Sequence, residues 1–198
     1  MEKALKHFKK TDPALFAIAQ EVKLRELTKP TDYFIDLVES IIGQQLSGKA
    51  ADTIFGRFKK LFPGEKITAV KLLKLSDLTI REAGISYGKI KYIKGIAEAV
   101  KSKQLYLERL EALSDREVME ELIKLKGVGE WTAEMFLMFS LLRTDIFSAG
   151  DLGLQNAIIK LYRLKDKPGK QGLLEISSKW SPHRTTASRI LWASLNNR

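Results

Sequence analysis

Apolar residues recur at helical spacing along most of this chain, and that periodicity narrows the fold more than its composition does. Phe34, Leu37, Val38, Ile41 and Ile42 follow the i, i+3, i+4, i+7 rhythm of a helix with one buried face. Asp32, just after Pro30, is placed to cap that helix. Ala50 to Phe62 continues in helical style until Pro63-Gly64 stops it. Shorter amphipathic segments follow near 68–75, 77–83, 89–102 and 115–124, punctuated by Gly84, Gly88 and Gly95. Met135 to Leu142 is apolar almost all round, which predicts a helix buried inside a domain. Further helices are predicted over 151–163 and from Ser181 to Asn197, the last started by Ser181-Pro182, with 165–172 as the most flexible loop. Strand-like alternation is scarce, and Asn-Gly and Asp-Gly turns are absent. The expectation is an all-α fold, and 198 residues suffice for one domain or two small lobes.

Charge and the missing cysteines then bound the chemistry. Lys and Arg number 34 against 24 Asp and Glu, a net charge of +10, so the molecule prefers polyanions. Nucleic acid leads, an anionic membrane surface follows, and nonspecific stickiness is the bland reading. No apolar run reaches the roughly 20 residues of a membrane helix, and MEKALKHFKK lacks the apolar core of a secretory signal. A cytoplasmic protein is expected, associated with the nucleoid if the cell is prokaryotic. With no cysteine there is no disulfide, thiolate zinc site, cysteine nucleophile or cysteine-bound iron–sulfur cluster. His7 and His183 are the only histidines, so catalysis should rest on carboxylates, hydroxyls, lysines or an oxygen-bound metal.

The most informative stretch runs from Leu122 to Met135. An amphipathic helix is expected to end near Leu125, a tight Gly127-Val128-Gly129 turn follows, and a second helix begins near Glu130. Two glycines around one small apolar residue let the backbone turn sharply and bare its amides at a helix N-terminus, where an anion is favoured. Taken alone, the turn is better read as a plain αα-hairpin, because Gly-x-Gly is common.

The longer string resolves more. Leu125-Lys126-Gly127-Val128-Gly129-Glu130-Trp131-Thr132-Ala133 resembles the helix–hairpin–helix element of the HhH-GPD DNA glycosylase superfamily, L-P-G-(V/I)-G-x-x-(S/T)-A, with Lys126 in place of the usual proline. Asp145-Ile146-Phe147-Ser148-Ala149-Gly150-Asp151-Leu152-Gly153 resembles the loop bearing that superfamily's catalytic aspartate. Ser40-Ile41-Ile42-Gly43-Gln44-Gln45-Leu46-Ser47 is similar to the I-(I/L/V)-G-Q-Q-x-S segment of AlkA-like 3-methyladenine DNA glycosylases. Gly84-Ile85-Ser86 with Lys89 and Tyr92, and Trp180-x-Pro182-x-Arg184 with Ala187, match the same branch. The resemblance covers nearly the whole chain from Asp12-Pro13 onward. It implies two helical lobes enclosing a cleft, with 32–130 as a central lobe carrying the hairpin at 123–133, and 1–31 plus 134–198 as the second.

What the resemblance implies for chemistry can be weighed residue by residue. Cleaving an N-glycosidic bond builds positive charge on the sugar, which a carboxylate stabilises; Asp151 stands at the matching position. Read without the resemblance, Ser148-x-x-Asp151 is first a variant capping box, and the two roles can coexist. Trp131 offers an aromatic face to an extruded, cationic base, or else anchors the hairpin as a core residue. Met135 and His183 complete the implied base pocket, both in places where relatives carry larger aromatics. Lyase-competent relatives hold a lysine at the position of Trp131, so the amine for strand cleavage is missing.

Expected DNA contacts are Gly127, Val128, Gly129 and Thr132 at the hairpin, with Lys89 as the best of the scattered lysines. Gln44 and Gln45 lie where relatives insert a side chain into the gap left by the base, Gln45 being the wedge of choice; capping of helix-end carbonyls is their plainer role. The resemblance also implies a structural Na+ or K+ on the carbonyls of Leu125 and Val128, and no required cofactor. Phe8, Leu15, Phe55, Phe58, Phe136, Phe139 and Trp192 are assigned to core packing. The implied protein is a monomeric, monofunctional glycosylase acting on alkylated bases in duplex DNA. Its rivals are a non-catalytic hairpin module and a bifunctional glycosylase/lyase.

Overall fold

In the computed structural model, which describes residues 1–196, the chain is helical throughout, with no strand among the described residues. Helices α1 (Glu2–Thr11) and α2 (Pro13–Ala19) open it. There follow α3 (Tyr33–Gly43), α4 (Gly48–Lys59), α5 (Ala69–Lys74), α6 (Asp77–Glu82), α7 (Tyr87–Lys101), α8 (Asp115–Leu122) and α9 (Glu130–Met135). The last three are α10 (Leu152–Tyr162), α11 (Lys170–Ser178) and α12 (Arg184–Asn196).

Local chemistry explains most boundaries. Asp32 caps α3 as expected, accepting the amides of Phe34 and Ile35 at 2.8 and 3.2 Å. Ser114 and Glu117 form a reciprocal capping box at α8. Three expectations need correction. Met135 to Leu142 is not one regular helix: α9 passes into a π turn over Phe136–Ser140, and Leu142 has already left helical geometry at φ 55°. Pro182 does not open the last helix, which begins at Arg184 after a cis Ser181–Pro182 bond; its expected end, Asn197, lies outside the described residues. The loop over 165–172 is shorter than expected because α11 starts at Lys170, capped by Gly169.

The helices form two compact units. One joins Met1–Thr28 to the chain from Leu137 onward; the other is Lys29–Phe136, against the 32–130 expected. In the first unit Phe8, Leu15, Leu154, Ile158, Trp180 and Leu191 are buried together. The N-terminal helices enter this core through Asp12, which caps α2 and is almost fully buried. Its carboxylate accepts Trp180 Nε1 at 2.7 Å and the Tyr162 hydroxyl, and pairs with Lys179 at 3.1 Å. Burial alone would raise this carboxyl's pKa, but the bonds from Trp180, Tyr162, the Leu15 amide and Lys179 together hold it below the ordinary range. In the second unit Leu37, Val38, Ile41, Phe58, Leu72, Ile80, Ile90, Ile93, Val118 and Leu122 are buried. Each such side chain contributes about 1.5–3 kcal/mol by leaving water.

Candidate DNA-processing site

In the Lys29–Phe136 unit the hairpin is built as a rigid turn. Helix α8 ends at Leu122, three residues before the expected point, and α9 starts at Glu130 as expected. The Leu125 carbonyl accepts the Val128 amide at 3.0 Å and closes the turn. Gly127 sits at φ 92°, and a Cβ there would stand 2.4 Å from the Tyr92 ring, so only glycine fits. Val128 is buried as the turn's apolar anchor, whereas Gly129, the N-cap of α9, faces open space. Lys126 is exposed where proline was expected, and the structure shows why that is tolerated: Gly127 and Tyr92 fix the turn without it. Beside the hairpin runs a groove of about 600 Å³ lined by Tyr87, Lys91, Tyr92, Lys94, Lys124 and Lys126. Asp77, which pairs with Lys94, and Glu98 also line it, so its four lysines are partly offset and the net positive charge that remains suits a phosphodiester.

Gln44 ties the end of α3 to the hairpin, its Nε2 donating to the Gly127 carbonyl at 2.9 Å and to Thr132 Oγ1 at 3.1 Å. Thr132 is 3% exposed, so its hydroxyl supports Gln44 rather than reaching a phosphate directly. Lys89 is likewise turned inward. Its ammonium donates to the carbonyls of Ile42 at 2.8 Å and Gln44 at 2.6 Å, and burial lowers its pKa. Gln45 is exposed at φ 59°, a left-handed conformation uncommon outside glycine. Trp131 is 43% exposed on α9, which removes the core-anchor reading; Met135, one turn on, is half-buried.

The carbonyls of Leu125 and Val128 offer oxygen donors only. That of Leu125 keeps a second lone pair after accepting the Val128 amide, so the pair is compatible with Na+ or K+. Among the described residues no group of three or more His, Asp or Glu side chains could hold a metal ion.

In the other unit, Asp151 is the N-cap of α10. Its Oδ1 accepts the Leu154 amide at 2.8 Å and the Trp192 indole N–H at 2.9 Å. The capping role is therefore real, with Asp151 itself rather than Ser148 as the cap. Trp192 is half-buried and packs against this unit's core as expected, and its indole also reaches the carboxylate, so it belongs to the site as well. Phe139, also half-buried, lies 6.0 Å from the Trp192 ring. Gly153 makes room: a Cβ there would come within 3.0 Å of Asp151 Oδ1 and 3.1 Å of the indole. A tryptophan at helical spacing gives no sequence signal of such a bond, because the partner is 41 residues away.

The loop leading to Asp151 is clamped from α12. Arg184 forks onto Asp145 with Nε to Oδ1 at 2.8 Å and Nη2 to Oδ2 at 3.0 Å, and Ser181 Oγ adds a bond at 2.8 Å. Burial opposes ionisation of Asp145, but Arg184 and Ser181 outweigh it and lower its pKa. Thr185 Oγ1 donates to the Arg143 carbonyl and accepts the Ile146 amide, while Gln155 Nε2 donates to the Ala149 carbonyl at 2.8 Å. His183 packs edge-on against His7 and Phe8. Burial, then the charge of His7, lowers its pKa and favours the neutral imidazole.

These elements, a hairpin with a buried valine anchor and a helix-capping aspartate, define the class. The pattern of the HhH-GPD superfamily of base excision DNA repair proteins matches residues 38–183, and the chain belongs to that family. It is 39% identical over 159 residues to DNA-3-methyladenine glycosylase 1 of Schizosaccharomyces pombe, covering 79% of this chain and 70% of that protein. It is 33% identical over 202 residues to the putative DNA-3-methyladenine glycosylase YfjP of Bacillus subtilis, covering 98% and 69%. A fission-yeast 3-methyladenine DNA glycosylase solved in complex with abasic DNA superposes with a TM-score of 0.87 at 33% identity, covering 98% of this chain and 97% of that one.

Proposed function

We propose that this protein is a monofunctional DNA glycosylase that hydrolyses the N-glycosidic bond of alkylated bases, of the 3-methyladenine and 7-methylguanine type, in duplex DNA. Asp151 carries the reading: it is a carboxylate held by the α10 cap bond and the Trp192 indole, in the loop that resembles the one bearing the superfamily's catalytic aspartate. As the C1′–N bond breaks, its electron pair leaves with the base and positive charge grows on the sugar. Asp151 stabilises that charge and orients the water whose oxygen bonds to C1′; the water's proton goes to solvent or to the carboxylate. An alkylated purine is already cationic, so no general acid is needed. Its charge also favours an aromatic face, which exposed Trp131 offers with Met135 beside it. His183 is assigned to the base pocket as a neutral ring. The hairpin amides and neighbouring lysines hold phosphates, and a monovalent cation on the Leu125 and Val128 carbonyls would add positive charge there. The protein acts as a monomer.

Two assays on one DNA test this. Methylated duplex DNA incubated with the protein should release free alkylpurines and leave unbroken abasic sites. Borohydride should trap no adduct, since Trp131 cannot form an imine. No base release would favour the binding-module reading, and a trapped adduct the lyase.

A further inference from the structure

We propose that Lys89 is a positioning residue, holding the turn after α3 so that Gln45 is presented to DNA in one fixed conformation. The geometry is specific. Lys89 lies in the first turn of α7, three residues after the N-cap Ser86. Its side chain crosses to the C-terminal end of α3, where the carbonyls of Ile42 and Gln44 take its ammonium at 2.8 and 2.6 Å. Carbonyls at the end of a helix lack intrahelical donors and carry the negative end of its dipole, so a cation there answers both. With two donors so engaged, only one N–H remains for any phosphate.

The clamped turn is also tied at its side chain. Gln44 Nε2 binds the Gly127 carbonyl and Thr132 Oγ1, so the same residue is gripped through its backbone by α7 and through its amide by the hairpin. The next residue, Gln45, occupies the left-handed region at φ 59° and projects into solvent. A non-glycine residue is uncommon there and holds one conformation best when its surroundings support it. Lys89 and Gln44 supply that support. The phosphate grip of the hairpin and the placement of Gln45 thereby become one preorganised unit. This inference rests on the proposed function together with the role the resemblance implies for Gln45, entry into the gap left by an extruded base.

The test separates this role from a phosphate contact and does not require base release. Wild type, Lys89→Gln, Lys89→Arg, Gln45→Ala and Lys89→Gln/Gln45→Ala are titrated with a duplex carrying a tetrahydrofuran abasic analogue beside 2-aminopurine. Insertion of a side chain unstacks the probe and raises its fluorescence. Wild type should show the rise, Gln45→Ala and Lys89→Gln should each lose most of it, and the double variant should lose no more than either single one. Lys89→Arg should restore part of it, since a guanidinium can span two carbonyls. On undamaged duplex, Lys89→Gln should keep the wild-type dependence of log K on log salt. A slope shallower by about 0.9 would make Lys89 a phosphate contact and overturn the proposal. So would additive losses in the double variant, or a full rise in Lys89→Gln. If wild type unstacks the probe but releases no alkylated base, the enzymatic reading fails while this one stands.

Discussion

The indole N–H of Trp192 and the backbone N–H of Leu154 converge on the same oxygen of Asp151, 2.9 and 2.8 Å away. One bond fixes the carboxylate along the α10 axis and the other fixes it from α12. Trp192→Phe keeps the ring and removes the donor. A hydrogen bond to a charged group is worth about 1.5–3 kcal/mol, so single-turnover excision should fall roughly tenfold or more while DNA affinity is kept. Gly153→Ala should act in the same direction by driving a methyl group between the two side chains, and combining it with Trp192→Phe should add little. Gly150→Ala, with nothing within 4 Å of its Cβ, is the control and should stay near wild type.

Asp151 separates chemistry from capping. Asn can accept the same cap bond but lacks the negative charge, so Asp151→Asn should cost on the order of a hundred- to a thousandfold in excision rate. DNA binding should hold or improve, because a carboxylate facing phosphates is lost. Asp151→Ala should lose the cap as well, about 1 kcal/mol of stability, visible in thermal unfolding. Wild-type excision by Asp151→Asn would reduce the residue to a cap.

The two hairpin glycines should behave differently. Gly127→Ala combines a positive φ with a clash against Tyr92; overpacking alone costs roughly 1–3 kcal/mol, and duplex binding should weaken with it. Gly129→Ala meets nothing within 4 Å and should fold normally. Any loss of duplex affinity in Gly129→Ala then reports crowding of the phosphate itself, measured by salt titration on damaged and undamaged DNA.

Asp12 predicts an acid-sensitive fold. Its pKa is lowered from the ordinary 3.8, so its stabilisation is complete above that value and is lost as pH falls through the lower, folded-state value. Asp145 titrates in the same direction. Asp12→Asn should cost about 3 kcal/mol at neutral pH, because Trp180, Tyr162 and Lys179 lose their shared acceptor. Its unfolding free energy should then change less than wild type's below about pH 4. An acid limb identical to wild type would remove Asp12 from the linkage.

The particular residues show what a sequence discloses here. Helical spacing located most helices, and Asp32 and Glu130 mark ends that the fold keeps, because caps and periodicity are local. The residues that bear the site's electrostatics were hidden for the opposite reason. Lys89 reads as a surface lysine until α3 is placed 45 residues upstream, and Trp192 reads as core alone until its indole meets Asp151. Thr132 has the spacing of an exposed first-turn hydroxyl, yet packing buries it under Gln44. The π turn after Met135 has no compositional signature in a run of apolar residues.

The bonds of Asp12 also set an order of events during synthesis. Its partners Tyr162, Lys179 and Trp180 are 150 to 168 residues further along the chain. The Lys29–Phe136 unit can emerge from a ribosome and close while α1 and α2 still wait for the segment that buries them. Until the segment from Phe147 to Leu191 is complete, the core that Phe8 and Leu15 enter is unfinished. A product truncated before Trp180 therefore exposes those side chains and leaves Asp12 without its indole donor, which makes incomplete chains the natural clients of chaperones and proteases.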